Sequence, residues 1–283
     1  MEPEILQIPS TDQFQLSARL YRSPQAKGII QINSATGVKK EFYHHFASYL
    51  QTQNFHVVTF DYRGIGGSRP SSLRGFQAQN HEWGKKDMTA ILSWIESSFP
   101  SLKKYMIGHS AGGQQLGWMS NHHRVEKAFL VGCSIGYVPY LTAPYRYFAA
   151  FAFHILFPIT IPAFGYVPAK RFGLGEDLPK GVALEWRKWC LRPNYFGDDL
   201  QTKLKPHYFD EIKYPIHALY LEDDPIANTK TVNALLQFYS KAPKTTEQVR
   251  LKDVQAKKVG HFGFFSRTMQ SHFWHKPVTF FNQ

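Results

Sequence analysis

The chain has 283 residues, with 33 lysines and arginines against 21 aspartates and glutamates, a formal charge of +12. Its 43% hydrophobic and 16% aromatic content can bury a large core, which excludes global disorder and fits one large domain or one domain carrying an insertion. Two cysteines, Cys133 and Cys190, exclude a disulfide scaffold, and no paired-cysteine spacing offers a zinc site.

The opening MEPEILQIPS carries acids and prolines where a secretory signal needs lysine followed by an apolar run, so the expectation is a cytoplasmic protein that begins here. Phe14–Arg22 alternates apolar and polar residues, as a half-solvated antiparallel strand does. Gly28–Asn33 (GIIQIN) is a short apolar strand. Glu41–Gln53 spaces Phe42, Phe46, Tyr49 and Leu50 as a helix, and His56–Tyr62 (HVVTFDY) is a second buried strand. Lys86–Phe99 reads as a helix stopped by Pro100. Lys104–Gly108 and Lys127–Cys133 are further strands with a helix between them. Strands separated by helices of this length make βαβ units, and hence an α/β fold with a mostly parallel central sheet.

After Cys133 this rhythm stops, and residues 134–207 are rich in aromatics and proline without a clear strand. Ile216–Glu222 resumes as a strand, Asn228–Tyr239 as a helix and Glu247–Val254 as a last strand. A helix around Ser271–Phe281, interrupted by Pro277, ends the chain. The organisation expected is a core of residues 1–133 and 208–283, flanked by helices, with 134–207 inserted as a cap before the penultimate strand.

Within the cap, Tyr147–Ala169 runs 23 residues without a formal charge, near the ~20 that span a bilayer. Pro158, Pro162 and Pro168 break such a helix, and a single span would put strands of one sheet on opposite sides of the membrane. The better expectation is an apolar lid that packs over a pocket or touches a membrane surface. The basic residues are dispersed in pairs such as Lys39–Lys40 and Lys103–Lys104, with no motif for nucleic-acid readout.

The chemistry centres on Gly108-His109-Ser110-Ala111-Gly112, a G-x-S-x-G between a strand and a helical stretch. In that context the pattern makes a nucleophile elbow, where a tight turn exposes the serine oxygen near free N–H groups of the next helix. The serine needs a base, and the base needs an orienting acid. Of 13 histidines, His261 lies in a glycine-flanked loop (VGHFG) after the last strand, whereas His272 and His275 fall on the terminal helix. His44–His45 and His122–His123 are adjacent pairs whose rings point apart, which argues against a metal site. His109, next to the serine, points elsewhere. The acid falls in Asp223-Asp224-Pro225, at the carboxyl end of a buried strand, with Asp224 preferred over Asp223 because it begins the turn.

The chain order Ser110, Asp224, His261 and the loop Asp61-Tyr62-Arg63-Gly64-Ile65-Gly66-Gly67-Ser68 resemble the α/β-hydrolase-fold serine hydrolases over nearly the whole chain, including esterases, lipases and serine aminopeptidase-like members. Ala35-Thr36-Gly37-Val38, Glu176-Asp177-Leu178-Pro179 and Gly260-His261-Phe262-Gly263-Phe264-Phe265 resemble, more narrowly, a bacterial group of α/β-hydrolases of unsettled substrate. The family's His-Gly loop after the third strand reads Asn33-Ser34-Ala35-Thr36-Gly37 here. The resemblance implies an oxyanion hole from the backbone N–H of Ala111 and of Thr36, with Ala35 the second choice. Arg63 is expected to pin its loop rather than act in catalysis.

The reaction expected is hydrolysis of a carboxylic ester with an apolar acyl group, without metal or organic cofactor. Aromatics of the cap, Tyr137, Tyr145 and Phe148 first among them, line the pocket, with Tyr140, Phe151, Phe153, Phe157 and Phe164 as further candidates. Three alternatives use the same fold: an acyltransferase, an amino- or iminopeptidase with Glu176, Asp177 or Glu185 receiving the free amine, and a non-catalytic ligand-binding protein.

Overall fold

The structure is a computed structural model, and residues 2–283 are described. The strands are β1 (Glu4–Pro9), β2 (Gln15–Tyr21), β3 (Gly28–Asn33), β4 (His56–Phe60), β5 (Lys103–His109), β6 (Lys127–Val131), β7 (Tyr166–Val167), β8 (Leu178–Pro179), β9 (Ile216–Leu221) and β10 (Lys244–Val249). Eight of them form one sheet in the order β1-β2-β4-β3-β5-β6-β9-β10, while β7 and β8 pair separately. From β4 to β10 all pairings are parallel; β1 and β2 add an antiparallel edge.

The apolar runs read as strands are buried on both faces, as a helix-covered parallel sheet requires. Every residue of β3 is buried. On β6, Ala128 and Leu130 join the core on one face, and Phe129 and Val131 the core on the other. That is the two-residue period of a strand.

Four details differ from the sequence reading. β1 was not expected; its short, Pro-ended edge exposes most positions, so it carries little alternation. The last strand is Lys244–Val249 rather than Glu247–Val254, because Leu251–Val254 turns as a 3₁₀ segment. Pro277 does not break the last helix, His275–Asn282: it sits in the first turn, where no N–H partner is lost. The residues after Cys133 do hold strands, the two-residue β7 and β8.

Two of the three prolines expected to break the apolar segment, Pro158 and Pro162, lie inside a helix, while Pro168 falls beyond its end at Gly165. Tyr145–Phe151, Ala152–Leu156 and Phe157–Phe164 run on as one 20-residue helix. Its middle piece is a π-turn just before Pro158, and that wider turn absorbs the missing N–H and the ring. With mean hydropathy 1.7 it is long and apolar enough to cross a membrane. β6 and β9, on either side of it in sequence, pair directly from Ala128↔Ile216 to Val131↔Leu219. The segment between them therefore leaves the carboxyl edge of the sheet after β6 and crosses back to its amino edge before β9, as a parallel pair requires.

This segment shares the main core. Val138, Phe153, Val182, Trp189 and Phe196 belong to the same buried cluster as Leu20, Val58 and Leu130. Trp118 and Trp189 stack with ring centroids 5.6 Å apart across the junction.

Candidate active site

β5 ends at His109, and the chain turns through Ser110 (φ 52°, ψ −112°) into the helix Ala111–Gln114. A non-glycine residue at positive φ is strained and persists only where its surroundings hold it. Here Ser110 N donates to Val131 O at 3.0 Å, clamping the turn to the end of β6. A Cβ on Gly112 would lie 2.1 Å from Asn33 O, so only glycine lets this helix approach β3 so closely. Ala111 is the first residue of the helix, where the N–H has no intrahelical acceptor.

Asp224 follows β9 and is buried, as is His261. His261 Nδ1 lies 2.7 Å from Asp224 Oδ2. An ionised carboxylate only accepts, so Nδ1 is the donor and Nε2 keeps its lone pair. The other oxygen, Asp224 Oδ1, accepts from the N–H groups of Ile226 (2.8 Å) and Ala227 (3.0 Å), which fixes the carboxylate plane. Asp223 has a different task. Its two oxygens accept from Val259 N (2.8 Å) and Gly260 N (2.9 Å), anchoring the backbone of the histidine loop.

Gly132 links the parts. It follows Val131, which receives the Ser110 N–H, and has φ +59°. A Cβ there would lie 3.2 Å from Asp224 Oδ2 and 3.3 Å from His261 Nδ1. The acid–histidine pair therefore lies over the end of β6, beside the strand that presents Ser110. Among the described residues Ser110 Oγ makes no hydrogen bond, so the chain brings Asp224 and His261 into contact and sets Ser110 at the same edge without joining it to the imidazole. In unliganded sites such bonds are often long and tighten on substrate.

His109 is fully buried and points the other way. Its Nε2 lies 3.1 Å from the backbone carbonyl of His261 and its Nδ1 2.8 Å from Tyr43 Oη. The carbonyl can only accept, so Nε2 donates to it and Tyr43 Oη donates to Nδ1. Tyr43 Oη in turn accepts the Ala35 N–H at 3.0 Å. Burial, then the neighbouring His261, holds the His109 pKa well below its usual range and keeps the ring neutral. One polar chain thus ties the loop after β3, the serine turn and the histidine loop. Sequence reasoning missed it, since no spacing in the chain relates residues 35, 43, 109 and 261.

The same chain occupies Ala35 N–H with Tyr43, whereas Thr36 N–H has no acceptor among the described residues. Asp61 accepts from Lys40 N (2.7 Å), Lys40 Nζ (2.6 Å) and Gly67 N (2.8 Å), joining its own loop to the segment after the 33–37 loop. Arg63 donates to Asp87, Asp12 and Ser10, a pin for its loop.

The aromatics expected to line a pocket divide. Tyr145 is half-buried, and its hydroxyl pKa is pushed up to about 12 by burial, with smaller contributions from Cys190 and Asp224. Tyr137 is half-buried and packs edge-on against Tyr140. Phe148 and Phe151 are exposed on the long helix, at 41% and 54%. Phe153 and Phe157 pack into the core against Trp186. A surface cleft of about 590 Å³ lies elsewhere, at the amino ends of β6 and β9, lined by His122, Tyr208 and Tyr214. Among the described residues no three or more His, Cys, Asp or Glu side chains cluster as a metal site.

A mostly parallel eight-stranded sheet with a strained serine at the end of β5, and an acid and a histidine supplied after β9 and β10, defines an α/β-hydrolase-fold hydrolase. The family model described as "Serine aminopeptidase, S33" matches residues 24–165, half of the chain, and the chain belongs to that family. No curated protein matches. Among solved structures, the DcsB complex with its substrate analogue is similar at 15% identity, covering 99% of both chains with a TM-score of 0.68. The Pyrococcus furiosus esterase Pf2001 is 15% identical, covering 99% of this chain and 89% of that one, with a TM-score of 0.63. A thermostable carboxyl esterase from Bacillus coagulans is 14% identical, covering 100% and 98%, with a TM-score of 0.62. At these identities the likeness is one of fold.

Proposed function

We propose that the protein is a serine hydrolase that cleaves carboxylic esters of apolar acyl groups through an acyl-enzyme on Ser110. The observation that carries this reading is the 2.7 Å contact of His261 with Asp224 over Gly132, beside a serine held at φ 52°. Ser110 Oγ attacks the ester carbonyl as its proton passes to His261 Nε2. Asp224 holds the tautomer and offsets the imidazolium charge. The N–H groups of Ala111 and Thr36 receive the oxyanion, each worth roughly 10²–10³-fold in turnover. The imidazolium then protonates the leaving alcohol, and a water activated by the same ring releases the acid.

The occupied state of the cap's acids favours an ester over a substrate with a free amine. Asp177 is buried and accepts from Arg69 (3.0 Å) and Lys170 N (3.1 Å), and Glu185 accepts from the backbone N–H and ring of His81. Glu176 lies between Lys39 and Lys170. None of the three is left free for an ammonium group. The esterases among the structural neighbours are consistent with this choice.

The test pairs a fluorophosphonate probe with a panel of p-nitrophenyl esters of increasing chain length and aminoacyl amides. The expected result is a single adduct on Ser110 and ester turnover that Ser110→Ala abolishes. Folded protein that takes no adduct at Ser110, or that cleaves only the amides, defeats the proposal.

A further inference from the structure

The helix Tyr145–Phe164 breaks the usual rule for a surface helix, which turns an apolar stripe inward and a polar one outward. Its inner face holds Ala149, Phe153, Phe157 and Ile161, all buried. Its outer face is apolar as well. Tyr147 is 64% exposed, Phe151 54%, Ile155 47% and Ile159 64%, each four residues from the last. This row is about 18 Å long at 1.5 Å per residue, and Phe172 and Leu174 extend the apolar surface beyond the helix. From Phe148 to Phe164 the one titratable side chain is His154.

The surround is basic. From Lys127 to Gly175 the chain has no aspartate or glutamate. Arg146 lies over the Tyr147 ring at one end of the row, and Arg171 over the Phe164 ring at the other. Arg74 donates to Ala163 O near that second end. Among the described residues none of these three arginines joins a carboxylate.

We infer that this outer face docks the protein on an anionic lipid surface, with the row from Tyr147 to Ile159 lying at the level of the headgroups and upper acyl chains and Arg74, Arg146 and Arg171 meeting lipid phosphates. Interfacial helices bind by buried apolar area together with attraction to anionic lipid. A second copy of the chain is the poorer occupant, because two such faces would bring arginine rims together with no acid in either segment to neutralise them. The inference goes beyond the proposed hydrolysis and does not depend on it. It does set geometry: Thr142 N donates to Pro225 O (3.0 Å) and Asn228 Nδ2 to Tyr140 O (2.8 Å), tying the chain before the helix to the loop that carries Asp224. A docked helix therefore holds the edge of the sheet bearing Ser110 toward the lipid.

Co-sedimentation of the full chain with vesicles tests this, using phosphatidylcholine alone and phosphatidylcholine with roughly a third phosphatidylglycerol. The expected result is pelleting with the anionic vesicles that weakens as salt is raised. Ile155→Asp/Ile159→Asp should lower the partition coefficient by about tenfold or more, and Arg146→Glu/Arg171→Glu by severalfold. Both positions of the aspartate variant are solvent-facing, and circular dichroism with a soluble short-chain ester checks that fold and basal turnover are retained. Ser110→Ala should pellet like the unaltered chain, so a failed hydrolase reading leaves this result standing. Three outcomes overturn the inference: no pelleting of the unaltered chain, equal pelleting with both vesicle types, or equal pelleting of the aspartate variant. A dimer that the aspartate variant dissolves, without vesicle binding, also overturns it and assigns the face to a second copy.

Discussion

Two neighbouring carboxylates divide the work of holding one histidine. Asp224 meets the ring, and Asp223 holds the backbone that carries it. Asp224→Asn should reverse the tautomer preference and reduce kcat by roughly 10³–10⁴-fold. Asp223→Asn keeps the oxygen acceptor and should cost about tenfold or less, and steady-state kinetics on one p-nitrophenyl ester separates the two. The reverse ranking would overturn the assignment. The Asp-Asp-Pro motif was legible in the sequence because a turn after a buried strand has a local signature. The choice between the two acids was favoured by position alone, and their two different partners appear only once the 37 residues to His261 are folded back.

His109 makes a second point at this scale. Its two nitrogens join Tyr43 and the His261 carbonyl, so it positions the histidine loop without touching substrate. His109→Phe fills the volume but removes both bonds. It should reduce kcat by roughly 10–100-fold, as a small misplacement of reacting groups does, and leave KM nearly unchanged. A KM effect as large as the kcat effect would count against positioning. Neighbours in sequence that point apart looked irrelevant to each other, and the fold makes one support the other through a third segment.

At the scale of elements, the strands of the central sheet were readable because both faces are buried, so that β3, β5, β6 and β9 appear as apolar runs. The outer strands were less so. β10 exposes most of its residues and is held at its edge partly by charge: Glu247 meets His217 across β9 and Lys276 on the terminal helix. The hydrogen bond to His217, then Lys276, lowers the Glu247 pKa from 4.5 to about 2. A carboxyl group depressed on folding stabilises the native state above its unfolded pKa and loses that contribution as pH falls through the folded value. Glu247→Gln should therefore lower the urea midpoint slightly at about pH 7 and pH 5 and by less near pH 3, the effect being small because the group is partly solvated. A gap that widens on acidification would contradict the ion-pair account.

The long helix shows the opposite limit. Three prolines in the uncharged segment argued for a break, and propensity alone supports that. A π-turn before Pro158 carries the helix through, a local adjustment stabilised by packing Phe153 and Phe157 on Trp186. Tertiary contacts outweigh the roughly 3 kcal/mol that an interior proline costs.

Across the whole molecule, the residues between β6 and β9, expected as an inserted cap, share one hydrophobic core with the sheet. Trp189 is fully buried, stacks on Trp118 and donates to Asp199 Oδ2 at 2.9 Å. Trp189→Ala should cost about 3–5 kcal/mol, and denaturation followed by near- and far-ultraviolet circular dichroism should still show one transition. Two separated transitions would mean that the segment unfolds on its own.

The sequence by itself determined the class of fold, the serine turn and the neighbourhood of its partners. Each of these rests on short-range physics: a two-residue period, a glycine-flanked turn, an acid at a strand end. Only the tertiary structure decided which acid meets His261, that Ala35 N–H is spent on Tyr43 while Thr36 N–H has no acceptor among the described residues, and that the long helix turns an apolar face to solvent. Those outcomes depend on which distant segments share a space, and hydrogen-bond partners and burial belong to that arrangement rather than to any local run of residues.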